Sequence, residues 1–190
     1  MIRIIAGIHK GRRLLTPEGR ETRPTSDRAR TGLFNILGPW IVGRRVLDLY
    51  AGCGCIGFES LSRGAAHVMF VERESRSLSC INENMRQLDE TEHVDVVGGD
   101  VNQVLARLAI PPFDVVFADP PYREADVPAL LATVAACRSC GPDTVLIVEH
   151  ATTRGMLGTG QAGWECYRTA QYGKTQFSFF SRTEPTGDLS

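Results

Sequence analysis

The sequence predicts an α/β fold, a mostly parallel sheet covered by helices on both faces, with a small β-unit in front of it. Three observations carry that reading. From Arg45 onward, short apolar runs alternate with helical patterns. The first of those runs leads straight into glycines spaced Gly52-x-Gly54-x-x-Gly57. Near the end, two alternating segments meet at Gly173-Lys174, which is the pattern of a closing hairpin.

The elements follow in order. Ile2 to Ala6, a turn around Gly7 to Gly11, and Arg12 to Leu15 predict the opening β-unit. An irregular polar stretch, Thr16 to Thr25, leads to a helix that Ser26 can cap and that extends through Leu37, with Leu33, Phe34, Ile36 and Leu37 as its apolar positions. Val46 to Tyr50 is the first strand of the sheet, and a helix follows the glycines to about Arg63. His67 to Glu72, His93 to Gly98, Phe113 to Ala118 and Thr144 to Glu149 supply four more strands. Helices are expected near Arg76 to Leu88, Val101 to Leu108 and Val127 to Cys137. Trp164 to Tyr172 and Thr175 to Ser181 form the hairpin, and Thr183 to Ser190 reads as a frayed tail. The expected organisation is therefore a basic extension over residues 1–25, a catalytic body over 26–182, and a tail.

Composition narrows the class. A length of 190 residues with 43% hydrophobic and 23% charged content suits one globular domain with a real core. No apolar run approaches the roughly 20 residues of a membrane span, and the first residues are too polar for a secretory signal, so the expected compartment is the cytoplasm. Six cysteines include the lone Cys137-Arg-Ser-Cys140 motif without a second such pair, which points to reduced structural thiols and no metal. The net charge of -1 hides an asymmetry: residues 1–45 hold ten Lys/Arg against three Asp/Glu, and the rest holds eleven against nineteen. A basic arm on an acidic body suits a polyanionic partner.

Glycines let the backbone approach a ligand closely. Alone, the spacing of Gly52, Gly54 and Gly57 fits any nucleotide-like ligand, NAD included. Strand-end acids sharpen it. Glu72 ends the second strand, where a carboxylate can accept from ribose hydroxyls; Asp100 follows the third, suited to an adenine amine; Asp48 precedes the loop, suited to an ammonium. So many carboxylates disfavour a pyrophosphate and favour S-adenosylmethionine, which carries an amine, a ribose and a sulfonium. Ala51, Arg73 and Val101, beside these positions, complete the expected cofactor set. At the end of the fourth strand, Asp119-Pro120-Pro121-Tyr122 combines a carboxylate, a rigid turn and an aromatic face, the parts needed to hold a planar amine.

These segments resemble the class I S-adenosylmethionine-dependent methyltransferases and, more narrowly, the RsmD family of 16S rRNA guanine-N2 methyltransferases. The resemblance rests on Ile4 to Gly7, Lys10 to Leu14, Thr22 to Arg28, Leu33 to Leu37, Val46 to Gly52, Ser62 to Ala65 and Asp119 to Tyr122, about two-thirds of the chain in the expected order. It implies a Rossmann-like sheet of seven strands with the last antiparallel. It also implies that Asp48, Gly52, Gly54, Glu72 and Asp100 line the cofactor cleft and that Asp119 to Tyr122 form the acceptor site. The implied reaction is methylation of one guanine of small-subunit rRNA, of the guanine(966)-N(2) type, in a ribosomal subunit or an assembly intermediate. Cys53 and Cys55 depart from the small residues usual in the loop, and Lys174 stands where an acid often follows Tyr-Gly.

Arg3, Lys10, Arg12, Arg13, Arg20, Arg23, Arg28 and Arg30 would grip the RNA backbone without specifying bases. The resemblance adds Thr25 and Arg28 near the active site. Two other readings are carried forward: a DNA adenine-N6 methyltransferase, for which 190 residues leave little room for a target-recognition segment, and a non-catalytic RNA-binding module. Nothing in the sequence suggests an obligate oligomer, so a monomer is expected.

Overall fold

Strand β3 (Arg45–Leu49) lies at the centre of a seven-stranded sheet. On one side come β4 (His67–Glu72) and β5 (Val94–Gly98); on the other come β6 (Val115–Ala118), β7 (Val145–Ala151), β9 (Thr175–Arg182) and the edge strand β8 (Trp164–Tyr172). The computed structural model describes residues 2–17, 25–121, 127–151 and 162–183. The order is β5-β4-β3-β6-β7-β9-β8, parallel from β5 through β7, with β9 antiparallel to both its neighbours. This is the seven-stranded arrangement expected from the sequence.

Uninterrupted apolar strands are what burial on both faces requires. In β3, Val46 joins Val68, Phe70, Val115 and Phe117 on one face. Leu47 and Leu49 join Met69, Val71, Val116 and Ala118 on the other. The first face is covered by α1 (Asp27–Leu37), α2 (Cys55–Ser62) and α3 (Ser75–Leu88), the second by α4 (Val101–Arg107) and α5 (Val127–Ala136). Trp164 of β8 is fully buried against the second layer, where its Nε1–H donates to the Leu131 carbonyl at 3.0 Å. Ser26 caps α1 as expected, its hydroxyl accepting from Ala29 N. A short 3₁₀ turn over Gly38–Ile41 carries the chain from α1 toward β3; the sequence reading did not anticipate it. Among the described residues, no helix is long and apolar enough to cross a membrane.

The opening β-unit is smaller than expected. β1 (Ile2–Arg3) pairs with β2 (Arg13–Leu14), Ile4 still exchanges backbone bonds with Arg12 and Gly11, and beyond it Ile5 and Ala6 turn their N–H groups to the Glu59 carboxylate, at 2.7 and 3.1 Å. Ile2, Ile4 and Leu14 enter the same core as Leu33 and Phe34 of α1. Gly7 passes so close to α2 that an added Cβ would lie 1.6 Å from the Ser62 carbonyl oxygen, and its φ of +84° is one that other residues rarely adopt. Asn84 of α3, fully buried, accepts from Leu15 N at 2.7 Å and donates to the carbonyls of Leu15 and Cys53. Arm, helix and glycine loop are thus tied through one amide.

Candidate cofactor and acceptor site

The crossovers diverge between β3 and β6, so the carboxyl ends of these strands open a crevice where ligands of such sheets bind. A cleft of about 900 Å³ lies there, large enough for a nucleoside-sized ligand. Asp48, Ala51, Gly52, Glu72, Arg73, Asp100, Val101, Asp119, Pro120 and Pro121 line it, all ten anticipated from the sequence. Ile2, Thr16, Pro17 and Thr25 bring the N-terminal arm to its rim.

The loop turns on Tyr50 and Gly52, at φ of 57° and 58°. Glu72 holds it: Oε2 accepts from Gly52 N at 2.8 Å, while Oε1 accepts from Arg73 N at 2.8 Å and Glu74 N at 2.9 Å. By lone-pair count on those bonds, Oε2 keeps room for one further donor. Asp100, which lines the cleft, caps α4 through Oδ1, accepting from Asn102 N and Gln103 N, so the cap leaves Oδ2 unused. Asp48 is buried and accepts from Gly57 N at 3.0 Å. Burial lifts its pKa well above the usual carboxylate range, and the charges of Cys53, Asp119 and Glu72 push the same way.

Gly54 and Gly57 correct the expectation drawn from glycine spacing, since they stand behind the cleft wall. A Cβ on Gly57 would lie 2.2 Å from the Phe70 ring, and one on Gly54 2.8 Å from Phe58. Both let α2 press onto β4. Arg30 is the second correction. It is fully buried, donating to the Arg3 carbonyl at 2.8 Å and to Asp27 at 2.7 Å, and so is removed from the cations that could meet a phosphate. A helical arginine three residues from an acid reads as a surface pair until the hairpin covers that face. Arg3, Lys10, Arg12, Arg13 and Arg28 are exposed, and the register sets Arg3 opposite Arg13. Arg20, Arg23 and Tyr122 lie outside the described residues.

Asp119 has its pKa raised well above the usual range, first by desolvation and then by the charge of Glu149. Glu149, near the end of β7, was not singled out from the sequence, although it closes an apolar run as the other strand-end acids do. Burial pushes its carboxyl up to about 7, against hydroxyl bonds from Thr25 and Thr175 that favour the ionised form. Thr25 Oγ1 donates to Glu149 Oε2 at 2.5 Å. The segment around Lys174, unassigned from sequence, therefore contributes Thr175 to this network. Its Tyr172 packs so tightly on α1 that a Cβ at Gly32 would lie 2.1 Å from the ring.

Strand order, glycine loop and the acids at the strand ends together define a class I methyltransferase fold. The solved structure of the Escherichia coli protein yhhF agrees, with TM-score 0.84 and 29% identity over 97% of this chain and 99% of that one. The family described as Conserved hypothetical protein 95 matches residues 2–181, and the chain belongs to it, the RsmD family of methyltransferases. Ribosomal RNA small subunit methyltransferase D of Escherichia coli (strain K12) is 33% identical over 183 residues, covering 95% of this chain and 90% of its own. The Bacillus subtilis (strain 168) protein YlbH is 37% identical over 151 residues, covering 78% and 82%.

Proposed function

We propose that this protein transfers a methyl group from S-adenosylmethionine to the exocyclic N2 amine of a guanine in small-subunit rRNA, of the guanine(966)-N(2) type. The observation that carries the reading is that the Asp119-Pro120-Pro121 turn opens into the same cleft as the glycine loop. The names of the relatives, which are rRNA methyltransferases, support the class of substrate.

The donor set fits the cofactor. Asp48, Glu72 and Asp119 surround a cleft without a phosphate-binding cation on the loop; a ligand bearing an ammonium and a sulfonium would favour the ionised form of carboxyls that burial otherwise holds toward the neutral form. Glu72 Oε2 suits a ribose hydroxyl and Asp100 Oδ2 an adenine amine. When bound, the cofactor supplies an electrophilic methyl on sulfur.

The residues of the chain do the rest. A guanine N2 lone pair is delocalised into the ring and is a weak nucleophile. Asp119 and the Pro120 carbonyl accept from its two N–H groups, orient it and favour pyramidal nitrogen. The prolines fix these acceptors before the substrate arrives, so little reorganisation accompanies reaction. With the cofactor bound, the N–CH₃ bond would form as the S–CH₃ bond broke, leaving the neutral thioether, and Asp119 or water would take the proton from the cationic nitrogen. Tyr122, next in sequence, is assigned the stacking face for an extruded base. Arg3, Lys10, Arg12, Arg13 and Arg28, with Arg20 and Arg23, meet backbone phosphates. The acceptor is a subunit or assembly intermediate, and the site of action is the cytoplasm.

The test is transfer of labelled methyl to unmethylated small ribosomal subunits, with free rRNA, duplex DNA and Asp119→Ala alongside. The expected product is N2-methylguanosine in small-subunit rRNA, lost in the variant while calorimetry still shows cofactor binding. Label confined to DNA would overturn the reading in favour of an adenine methyltransferase. Undetectable cofactor binding by the wild type would favour a non-catalytic module.

A further inference from the structure

Glu149 has no task in the reaction as written above, yet its environment is costly to build. It is 3% exposed. In the parallel ladder, Phe117 pairs with Ile147 and Ala118 with Val148. Phe117 and Ile147 share one face of the sheet, and side chains alternate with period two. The residues two further on, Asp119 and Glu149, therefore leave neighbouring strands on that same face. Thr25 from the arm and Thr175 from β9 both bond the Glu149 carboxyl.

Thr25 belongs to the cleft wall, and Glu149 stands behind it. An amide there would accept the same two hydroxyl bonds without the cost of burying a charge. What distinguishes the carboxyl is that it can hold a proton or give it up next to Asp119. Among the described residues, the groups acting on this pair are carboxyls and hydroxyls: Asp48 from β3, Thr25 and Thr175.

We propose that Glu149 is a positioning residue for the acceptor site, acting through Asp119 by sharing one proton with it. The proposal rests on the reading that Asp119 receives the acceptor amine. Two carboxyls on neighbouring strands and the same face disfavour each other's ionised form, so the second gives up its proton less readily than the first. Donors arriving at Asp119 favour the charge there, and the proton then resides on Glu149. Asp119 becomes an acceptor with both oxygens available, which an amine with two N–H groups needs. Thr25 places the N-terminal arm in contact with this balance.

The deciding measurement is a carboxyl ¹³C NMR titration of Asp119 in the full-length, ligand-free protein, with the resonance assigned through Asp119→Asn. Glu149→Gln removes the neighbouring negative charge, so Asp119 releases its proton more easily and its midpoint falls by about one pH unit or more. Thr25→Val removes a bond that favours ionised Glu149. Glu149 then stays neutral to higher pH, and the Asp119 midpoint moves the same way by less. The acidic limb of kcat/KM for methyl transfer should follow both shifts, which loss of packing alone would not produce. An unmoved Asp119 midpoint in folded Glu149→Gln overturns the proposal. Should that variant not fold, an unmoved midpoint in Thr25→Val does so. If the wild type transfers no methyl group, the functional reading fails while the titration still answers this one.

Discussion

Replacing Glu59 by Gln should release the N-terminal arm from the body. Glu59 is fully buried, and its carboxylate accepts from Ile5 N at 2.7 Å, from Ala6 N at 3.1 Å and from Arg63 Nε at 2.7 Å. Gln keeps one oxygen. If that oxygen serves Ala6 and Arg63, the amide NH₂ faces Ile5 N–H, donor against donor. Hydrogen bonds to a charged group contribute about 1.5–3 kcal/mol each, and a stranded buried donor costs about as much. Arg63 limits the damage because it is partly exposed and stacks on Phe34, 4.8 Å from the ring centroid. The expected loss is about 3 kcal/mol. Urea denaturation should show it as a midpoint lowered by about 1–2 M at an ordinary slope. Hydrogen exchange should show the Ile5 and Ala6 amides losing protection first. An unchanged midpoint with unchanged protection at those amides would refute the account of how the arm is held.

Gly57→Ala drives a Cβ to within 2.2 Å of the Phe70 ring and 2.7 Å of Val68, so thermal unfolding should report a loss of about 1–3 kcal/mol from overpacking; a neutral result would mean that α2 is loosely seated. Asp100 separates two roles. Asp100→Asn keeps the Oδ1 cap but presents an NH₂ where Oδ2 stood, so calorimetry should show weakened S-adenosylmethionine binding at nearly unchanged stability, whereas Asp100→Ala should also lose about 1 kcal/mol of helix capping. Equal stability loss in both variants would contradict that division. The Glu149 carboxyl, raised to about 7 from an ordinary 4.5, binds its proton more tightly in the folded state. Its stabilising contribution is whole below about pH 4.5 and falls away as pH climbs through about 7, by up to about 3 kcal/mol. Denaturation across that window should give a flatter profile for Glu149→Gln than for the wild type, and parallel profiles would refute the assignment.

The sheet was legible because its strands are buried on both faces and so appear as unbroken apolar runs ended by acids. Glu72 and Asp100 were found by that rule, Asp48 by its place before the glycine loop and Asp119 by the Asp-Pro-Pro-Tyr tetrapeptide, and the structure gathers all four around one cleft. Glu149 obeys the same rule but sits in no motif, and its partner Thr25 lies 124 residues away. Asn84 was invisible for a similar reason: a polar residue on the buried side of an amphipathic helix reads as a lapse in periodicity until the loops it bonds are in view. Arg30 was misjudged because counting cations cannot tell which face of α1 the hairpin covers. Gly54 and Gly57 were misjudged because one spacing serves two purposes, close approach to a ligand and close approach of a helix to a ring.

The fastenings of the arm also carry an order of events. Ile5 waits for Glu59, Leu15 for Asn84 and Thr25 for Glu149, separations of 54, 69 and 124 residues. Chains emerge from the ribosome N-terminus first, and contacts this distant close late. The basic arm therefore precedes each of its partners in the chain and is fully fastened only once β7 exists. Completion of β7 supplies the last of these three fastenings.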